Sequence, residues 1–161
     1  VTFTPNPLTT GTTKATVNLA ARSDAANGMF SLTVTAAYTP SGSPQVVRQT
    51  TAQIIVTDFD LQVSPSSRTV SAGASVTYTV TLTIAQGFPD QVRVSVLGLP
   101  QGASYDLATS GTTLLIGGTG VTTLTLRVTI TASLRSGNYA LMVIATGGGL
   151  THHLTIQLTV R

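Results

Sequence analysis

The chain has 161 residues, of which 42% are hydrophobic and only 8% are charged, and both glutamate and cysteine are absent. The net charge of +3 comes from scattered basic residues with no stacking aromatics beside them, so a nucleic-acid surface is not expected. Without cysteine no disulfide can stabilise the fold. No apolar run approaches the roughly 20 residues that a membrane-spanning helix needs, so no membrane span is expected.

The first half of the chain carries the pattern of short strands. Apolar and polar residues alternate through 14–19 and through 30–36, which is typical of strands with one buried face. Asn27 and Gly28 between these segments form a turn signal. Shorter extended segments are predicted at 1–4 and 45–56. No stretch of this half has helical spacing.

The second half begins at the expected module boundary, residues 57 and 58, and its strongest signal is Ser75–Ile84. In that segment five apolar residues alternate with four threonines without a break, which places the two sets on opposite faces of a strand. Further strands are predicted at 59–63, 92–96, 103–107, 112–116, 124–131, 139–146 and 150–160. So many short strands with regular turns predict an all-β, immunoglobulin-like (Ig-like) antiparallel β-sandwich.

An internal repeat indicates tandem modules. Gly28–Val34 aligns with Gly137–Val143 at an offset of 109 residues (137 minus 28), and residues 53–56 align with 157–160 at an offset of 104 (157 minus 53). The offset decreases because the loop between these segments is longer in the first copy. The alignment also places Ala15, Val17 and Leu19 on Leu124, Leu126 and Val128, and Val1–Phe3 on Ala103–Tyr105.

The first copy is incomplete in this alignment, because it has no counterpart of residues 59–102. We therefore expect residues 1–57 to form the C-terminal half of an Ig-like β-sandwich and residues 58–161 to form a complete one. The half-module should not be stable alone, because its apolar strand faces would stay in contact with water. Three sources of cover are open: an earlier part of the same polypeptide, a neighbouring molecule that donates strands, or residues 58–161.

The second module resembles a known group of repeats. Residues 59–83 read F-D-L-Q-V-S-P-S-S-R-T-V-S-A-G-A-S-V-T-Y-T-V-T-L-T, 94–105 read V-S-V-L-G-L-P-Q-G-A-S-Y, 136–141 read S-G-N-Y-A-L and 154–160 read L-T-I-Q-L-T-V. This pattern is similar to the Ig-like repeats of secreted and cell-surface proteins of bacteria and archaea. That group includes CARDB-like cell-adhesion modules and modules appended to extracellular hydrolases.

The resemblance covers the second module fully and the first by its second half. It implies an extracellular or cell-surface location and a role in stalks, spacers, adhesion or filaments. The partners that it implies are neighbouring Ig-like modules or identical subunits. The group has no shared catalytic residues, so the resemblance assigns none here.

The residues that could carry chemistry do not form a reactive pattern. His152 and His153 are adjacent on a predicted strand, so their side chains point to opposite faces and cannot bind one metal ion together. Asp58 and Asp60 lack a third acid nearby, which disfavours a calcium site. The glycine-rich segment 117–123 lacks the lysine of a phosphate-binding loop and precedes a strand. We expect no catalytic residue, no metal site and no cofactor.

A sugar-binding face is also disfavoured by the aromatic residues. Sugars stack on exposed aromatic side chains, but the sequence has no tryptophan, and Tyr78, Tyr139 and Phe30 fall in the core phase. Three aromatic residues remain for such a role, namely Tyr38, Phe88 and Tyr105.

Two surfaces are candidate sites. The first, here called the threonine face, is a cross-strand patch and a possible glycan acceptor, and it consists of Thr77, Thr79, Thr81, Thr83, Thr125, Thr129 and Thr131, with Arg127 among them. The second, here called the outer strip, is a predicted interface that consists of Leu97, Ala140, Met142 and Ile144. The aligned first copy has hydroxyl side chains where residues 140, 142 and 144 are apolar.

Two functions fit these features. The first is a non-catalytic structural module of a secreted, cell-surface or appendage protein that acts by packing between modules or subunits. The alternative is an accessory binding module of a secreted enzyme that addresses a polysaccharide or a surface. An enzyme in its own right is the least favoured. A polysaccharide pull-down separates the first two, because the structural role predicts no retention.

Overall fold

A computed structural model of the protein describes residues 1–5, 7–8, 14–22, 24–109, 115–116 and 118–161, and every regular element in them is a β-strand. The described chain divides into two units, Val1–Val56 and Thr57–Arg161. In the first unit the strands are β1 (Thr2–Thr4), β2 (Thr16–Asn18), β3 (Gly28–Tyr38) and β4 (Val46–Val56).

The second unit contains the other described strands. They are β5 (Phe59–Ser64), β6 (Ser67–Val70), β7 (Ser75–Ile84), β8 (Val92–Leu97), β9 (Ala103–Thr109), β10 (Leu115–Ile116), β11 (Gly120–Ile130), β12 (Gly137–Gly147) and β13 (Leu150–Val160). One sheet has the order β5-β7-β11-β9, and the other has the order β10-β8-β12-β13-β6. The first order is that of the A, B, E and D strands of an immunoglobulin domain. The predicted all-β sandwich is confirmed for the second unit.

The core of the second unit is formed by the apolar residues of the alternating strands. Tyr78, Val80, Leu82 and Ile84 of β7 are buried, and the buried faces of the neighbouring strands follow the same period of two. The hydrophobic core consists of Phe59, Leu61, Val70, Tyr78, Val80, Leu82, Ile84, Val92, Val94, Val96, Leu124, Leu126, Val128, Ile130, Leu141, Val143, Ala145, Ile156, Leu158 and Val160. The Tyr78 hydroxyl donates a hydrogen bond of 2.9 Å to the Gln157 carbonyl, which satisfies its one polar atom.

The first unit has the pairing of the second but fewer strands. β1 pairs antiparallel with β2, and β3 pairs antiparallel with β4. In its described residues these are two separate two-stranded sheets. None of its described side chains is buried, and Phe30, which alternation places on the core side, is 46% exposed.

The β3–β4 and β12–β13 hairpins have the same register. Gly28 lies opposite Val56, and Gly137 lies opposite Val160. All four strands have 11 residues. The hairpins differ in their connections: residues 39–45 join β3 to β4, whereas Gly148 and Gly149 alone join β12 to β13. Both of these glycines have positive φ, of 56° and 78°, which is the conformation that a tight two-residue hairpin turn of this kind requires.

Three details differ from the sequence-based expectations. The β6 strand was not predicted, and it pairs in parallel with β13, so the sheets are not purely antiparallel. Phe3 lies opposite Val17 in the first unit, whereas in the second unit Tyr105 lies opposite Val128. Strand pairing therefore makes Val17 equivalent to Val128, two residues away from the Leu126 that the sequence alignment assigns to it. A shift of two residues keeps every side chain on its predicted face. Residues 112–114 of one predicted strand lie outside the described residues.

Candidate functional site: the outer strip of the second unit

The outer strip lies on the face of the five-stranded sheet that points away from the core. Leu97 ends β8, while Ala140, Met142 and Ile144 alternate along β12 with buried core residues. Met142 is the direct cross-strand partner of Leu97, so the two side chains are neighbours on one face. Leu97 is 56% exposed and Met142 is 39% exposed, while Ile144 is half-buried. The sheet thus exposes a continuous apolar strip at its centre.

Polar residues border the strip on both sides. On β13 the cross-strand partners of residues 140, 142 and 144 are Gln157, Thr155 and His153, and on β8 Ser95 lies opposite Ile144. An apolar centre with a polar rim is the usual composition of a protein–protein interface. The role of the strip as an interface stays a prediction.

The backbone beside the strip is closely packed at Gly98. This residue follows Leu97 and has a positive φ of 80°. A Cβ atom at this position would lie 2.8 Å from the Ala140 carbonyl oxygen, so only glycine fits without a shift of the backbone. Gly98 therefore allows the end of β8 to lie directly against β12, which places Leu97 beside the strip residues of β12.

The first unit has polar side chains at the positions equivalent to those of the strip on β12. Ser31, Thr33 and Thr35 of β3 take the positions of residues 140, 142 and 144 in the aligned hairpin, and all three are exposed. Two of them are bound to amide side chains of β4: the Gln53 side-chain nitrogen donates to Ser31 over 3.1 Å, and the Gln49 side-chain nitrogen donates to Thr35 over 3.2 Å. The first hairpin thus lacks apolar residues at the strip positions, although Met29 and Ile55 form an exposed apolar pair at one end of the same face.

The threonine face lies on the four-stranded sheet, as predicted for neighbouring strands. β7 and β11 pair along their length, with Thr79 opposite Thr125. Thr81 is half-buried and the other six members are exposed, namely Thr77, Thr79, Thr83, Thr125, Thr129 and Thr131. Sequence analysis missed Thr123, which lies opposite Thr81 on the same face. The alternation of apolar and polar residues along β11 already predicts that Thr123 lies on this face.

Arg127 contributes the positive charge of the threonine face. It lies opposite Thr77 on β7 and opposite Asp106 on β9. Its guanidinium donates a hydrogen bond of 3.4 Å to the Ser75 hydroxyl, which also lies 3.2 Å from the Thr129 hydroxyl. The face is therefore hydroxyl-rich with few charges, and its role as a glycan acceptor stays a prediction.

A polar contact that sequence analysis missed lies at the start of β5. His152 Nε2 donates to Asp58 Oδ1 over 2.9 Å, and the same oxygen accepts the Phe59 backbone N–H over 2.7 Å. The His152 ring also packs edge-on against Phe59, with centroids 4.7 Å apart. The pair joins the residue that precedes β5 to the last strand of the second unit. His153 points to the opposite face and is exposed.

The remaining candidate residues are dispersed. Asp60 accepts a hydrogen bond of 3.0 Å from the Gln62 side chain, away from the Asp58 pair. Within the part of the chain that the structure describes, no three His, Cys, Asp or Glu side chains are grouped closely enough to hold a metal ion. Of the aromatic residues considered for sugar stacking, Phe88 packs on Phe59 with a centroid distance of 5.5 Å, while Tyr38 is 69% and Tyr105 39% exposed.

No helix among the described residues is long and apolar enough to cross a membrane. No protein-family model matches the chain, and no curated protein matches it.

Solved structures give low-scoring matches. The chain is similar to domains 4 and 5 of the S-layer protein SbsC, at 17% identity and a TM-score of 0.43, over 72% of this chain and 63% of that one. It is similar to domains 1–6 of the same protein, at 16% identity and a TM-score of 0.45, over 83% of this chain and 16% of that one.

A third match is a family 123 glycoside hydrolase from Clostridium perfringens, at 8% identity and a TM-score of 0.46, over 63% of this chain and 26% of that one. The chain spans less than two thirds of the length of each of these structures. At these TM-scores the likenesses assign neither a family nor a function.

Proposed function

We propose that this chain is a non-catalytic structural segment of a secreted or cell-surface protein, made of Ig-like modules that pack against neighbouring modules or identical subunits. The observation that carries the proposal is the outer strip. It occupies a central strand of a five-stranded sheet, where Met142 and its cross-strand partner Leu97 are both exposed. The sister hairpin has hydroxyl side chains at the same positions, so the fold does not require apolar residues there.

Burial of the strip contributes part of the free energy of association. Full burial of one Met or Ile side chain contributes about 1.5–3 kcal/mol. Since Met142 and Ile144 are already partly covered, their further burial contributes about 1–3 kcal/mol together. If two copies pack with their outer strips facing each other, this free-energy gain is doubled. The free-energy cost of association is then subtracted from it. Removal of the strip should therefore weaken packing by about 10- to 100-fold.

The test is the concentration dependence of assembly by the full chain, measured by light scattering. We expect the wild-type chain to associate and the double variant Met142→Thr, Ile144→Thr to remain monomeric at concentrations about 10-fold higher or more. Both substitutions copy the hydroxyl side chains of the first hairpin and suit a strand, so the module should stay folded. Circular dichroism checks this.

The matched control carries Thr79→Ser and Thr125→Ser on the opposite sheet, and it should assemble like the wild type. Equal assembly by the strip variant and the wild type would refute the proposal. Retention of the monomeric chain on cell-wall polysaccharide would instead favour an accessory binding module.

A further inference from the structure

The inward side of the β3–β4 hairpin carries an apolar cluster, here called the open face, that is not buried. It consists of Phe30, Leu32 and Val34 on β3 and Ile54 and Val56 on β4, and all of these are exposed or half-buried. Phe30 lies directly opposite Ile54, so the apolar side chains adjoin across the two strands.

The second unit shows what covers such a face. Leu141 and Val143 take the positions of Leu32 and Val34 in the equivalent hairpin, and both are completely buried. Their cover comes from strands of residues 59–97. β5 and β7 belong to the opposite sheet, β8 pairs with β12, and β6 pairs with β13.

The free edges of the first unit match the same set of strands. In the second unit the far edges of β11, β12 and β13 pair with β7, β8 and β6. The corresponding edges of β2, β3 and β4 have no strand partner among residues 1–5, 7–8, 14–22 and 24–56. Unpaired edges beside an apolar face form a template for added strands.

Arg48 of β4 occupies the position that His152 occupies on β13. Arg48 on β4 lies opposite Ala36, just as His152 on β13 lies opposite Ala145. His152 is the residue that contacts Asp58 at the start of β5. Arg48 is exposed, and its guanidinium donates to the neighbouring Val47 carbonyl over 3.1 Å, with no other partner among the described residues. An acidic residue at the start of the first added strand would meet this guanidinium.

We propose that the open face is the docking surface for the amino-terminal half of an Ig-like module. The partner is a segment of strands with the apolar alternation of β5, β7 and β8 and an acidic residue at the position of Asp58. This inference extends the proposed packing role to the first unit, but it concerns a different surface from the outer strip, and its test is independent.

The probe is a second copy of residues 57–102 fused ahead of Val1 of the full chain. In the second unit Gly102 leads directly into β9, and in the fusion it leads directly into β1. The measurement is amide hydrogen exchange in β3 and β4, made in the Met142→Thr, Ile144→Thr background so that association through the strip does not contribute. We expect the fusion to slow exchange at Leu32 and Val34 by at least about 100-fold relative to the unfused chain.

Variants of the donor copy test whether protection depends on its inward apolar residues and on its acidic residue. Leu82→Asp in the donor copy places a charge among its inward residues and should abolish the slowing, whereas Thr79→Asp on the outward face of the same strand should keep it. Asp58→Asn in the donor should reduce the slowing by about 2- to 5-fold, and Arg48→Ala should remove that difference.

Three outcomes would overturn the inference. The fusion could leave exchange unchanged, the Leu82→Asp donor could protect as well as the intact donor, or the open face could already be protected in the unfused chain. Failure of the strip variant to alter assembly would refute the proposed function and leave this result unaffected.

Discussion

The two hairpins of this chain have the same strand length and the same register but very different burial. Leu32 of β3 and Leu141 of β12 occupy equivalent positions, yet Leu32 is half-buried and Leu141 is completely buried. Register depends on alternation and on local pairing within the hairpin, which both copies have. Burial depends on covering strands, which the second unit has and which are not found among the described residues of the first unit.

The two hairpins differ in the side chains of their outward faces. The outward face changes from hydroxyls on Ser31, Thr33 and Thr35 to apolar side chains on Ala140, Met142 and Ile144 while the pairing stays the same. An outward position on a sheet is therefore free to change from polar to apolar, whereas the inward phase of β3 and β12 remains apolar in both copies.

The largest expected effect compares the same substitution in both hairpins. Leu141→Ala should lower the free energy of unfolding of the second unit by about 2–5 kcal/mol, because it leaves a cavity in a packed core. Leu32→Ala should lower the stability of the chain by about 1 kcal/mol or less, because its side chain is already in contact with water. Chemical denaturation of the full chain measures both. Equal losses would mean that the first hairpin is packed as the second is.

A smaller effect concerns the single polar group in the core of the second unit. Tyr78→Phe removes the hydrogen bond to the Gln157 carbonyl and should cost about 1–2 kcal/mol at neutral pH. Denaturant titration of the variant beside the wild type gives this cost. No loss would show that the hydroxyl contributes nothing to the core.

The same residue predicts a dependence on pH. Burial raises the pKa of the Tyr78 phenol above its ordinary value of 10.0, and the charge of Arg68 opposes part of this shift. The folded state therefore holds the proton more tightly than the unfolded state. This contribution to stability is complete below pH 10.0 and is lost as the pH rises towards the folded-state pKa. Above pH 10.0 the free energy of unfolding, measured by denaturant titration at several pH values, should fall more steeply with pH for the wild type than for Tyr78→Phe.

The smallest effect concerns the Asp58–His152 pair. Its side chains are 34% and 38% exposed, so His152→Ala should lower the stability of the second unit by only about 0.5–1 kcal/mol. Much of that loss would come from the ring contact with Phe59, and His152→Phe should restore part of it. Thermal melts of the two variants separate packing from the polar contact. A loss that His152→Phe does not reduce would assign the effect to the hydrogen bond.

Most of the fold was predictable from the sequence, because period-two alternation defines both the strand and its buried face. The pairing of β7 with β11 and the exposure of Ala140 and Met142 follow from that pattern and from the repeat. β6 was not predictable, because its segment is short and follows Ser64, Pro65 and Ser66, which interrupt any alternation. The His152–Asp58 contact joins residues 94 positions apart, and only the tertiary structure brings them together.

The most direct test of the difference between the hairpins is native-state hydrogen exchange of the full chain, read at the equivalent amides of Leu32 and Leu141. We predict that the amides of β3 and β4 exchange at least about 100-fold faster than those of β12 and β13, since no strand among the described residues covers the first hairpin. Equal protection at the two positions would contradict it, because the open face would then be covered in the chain itself.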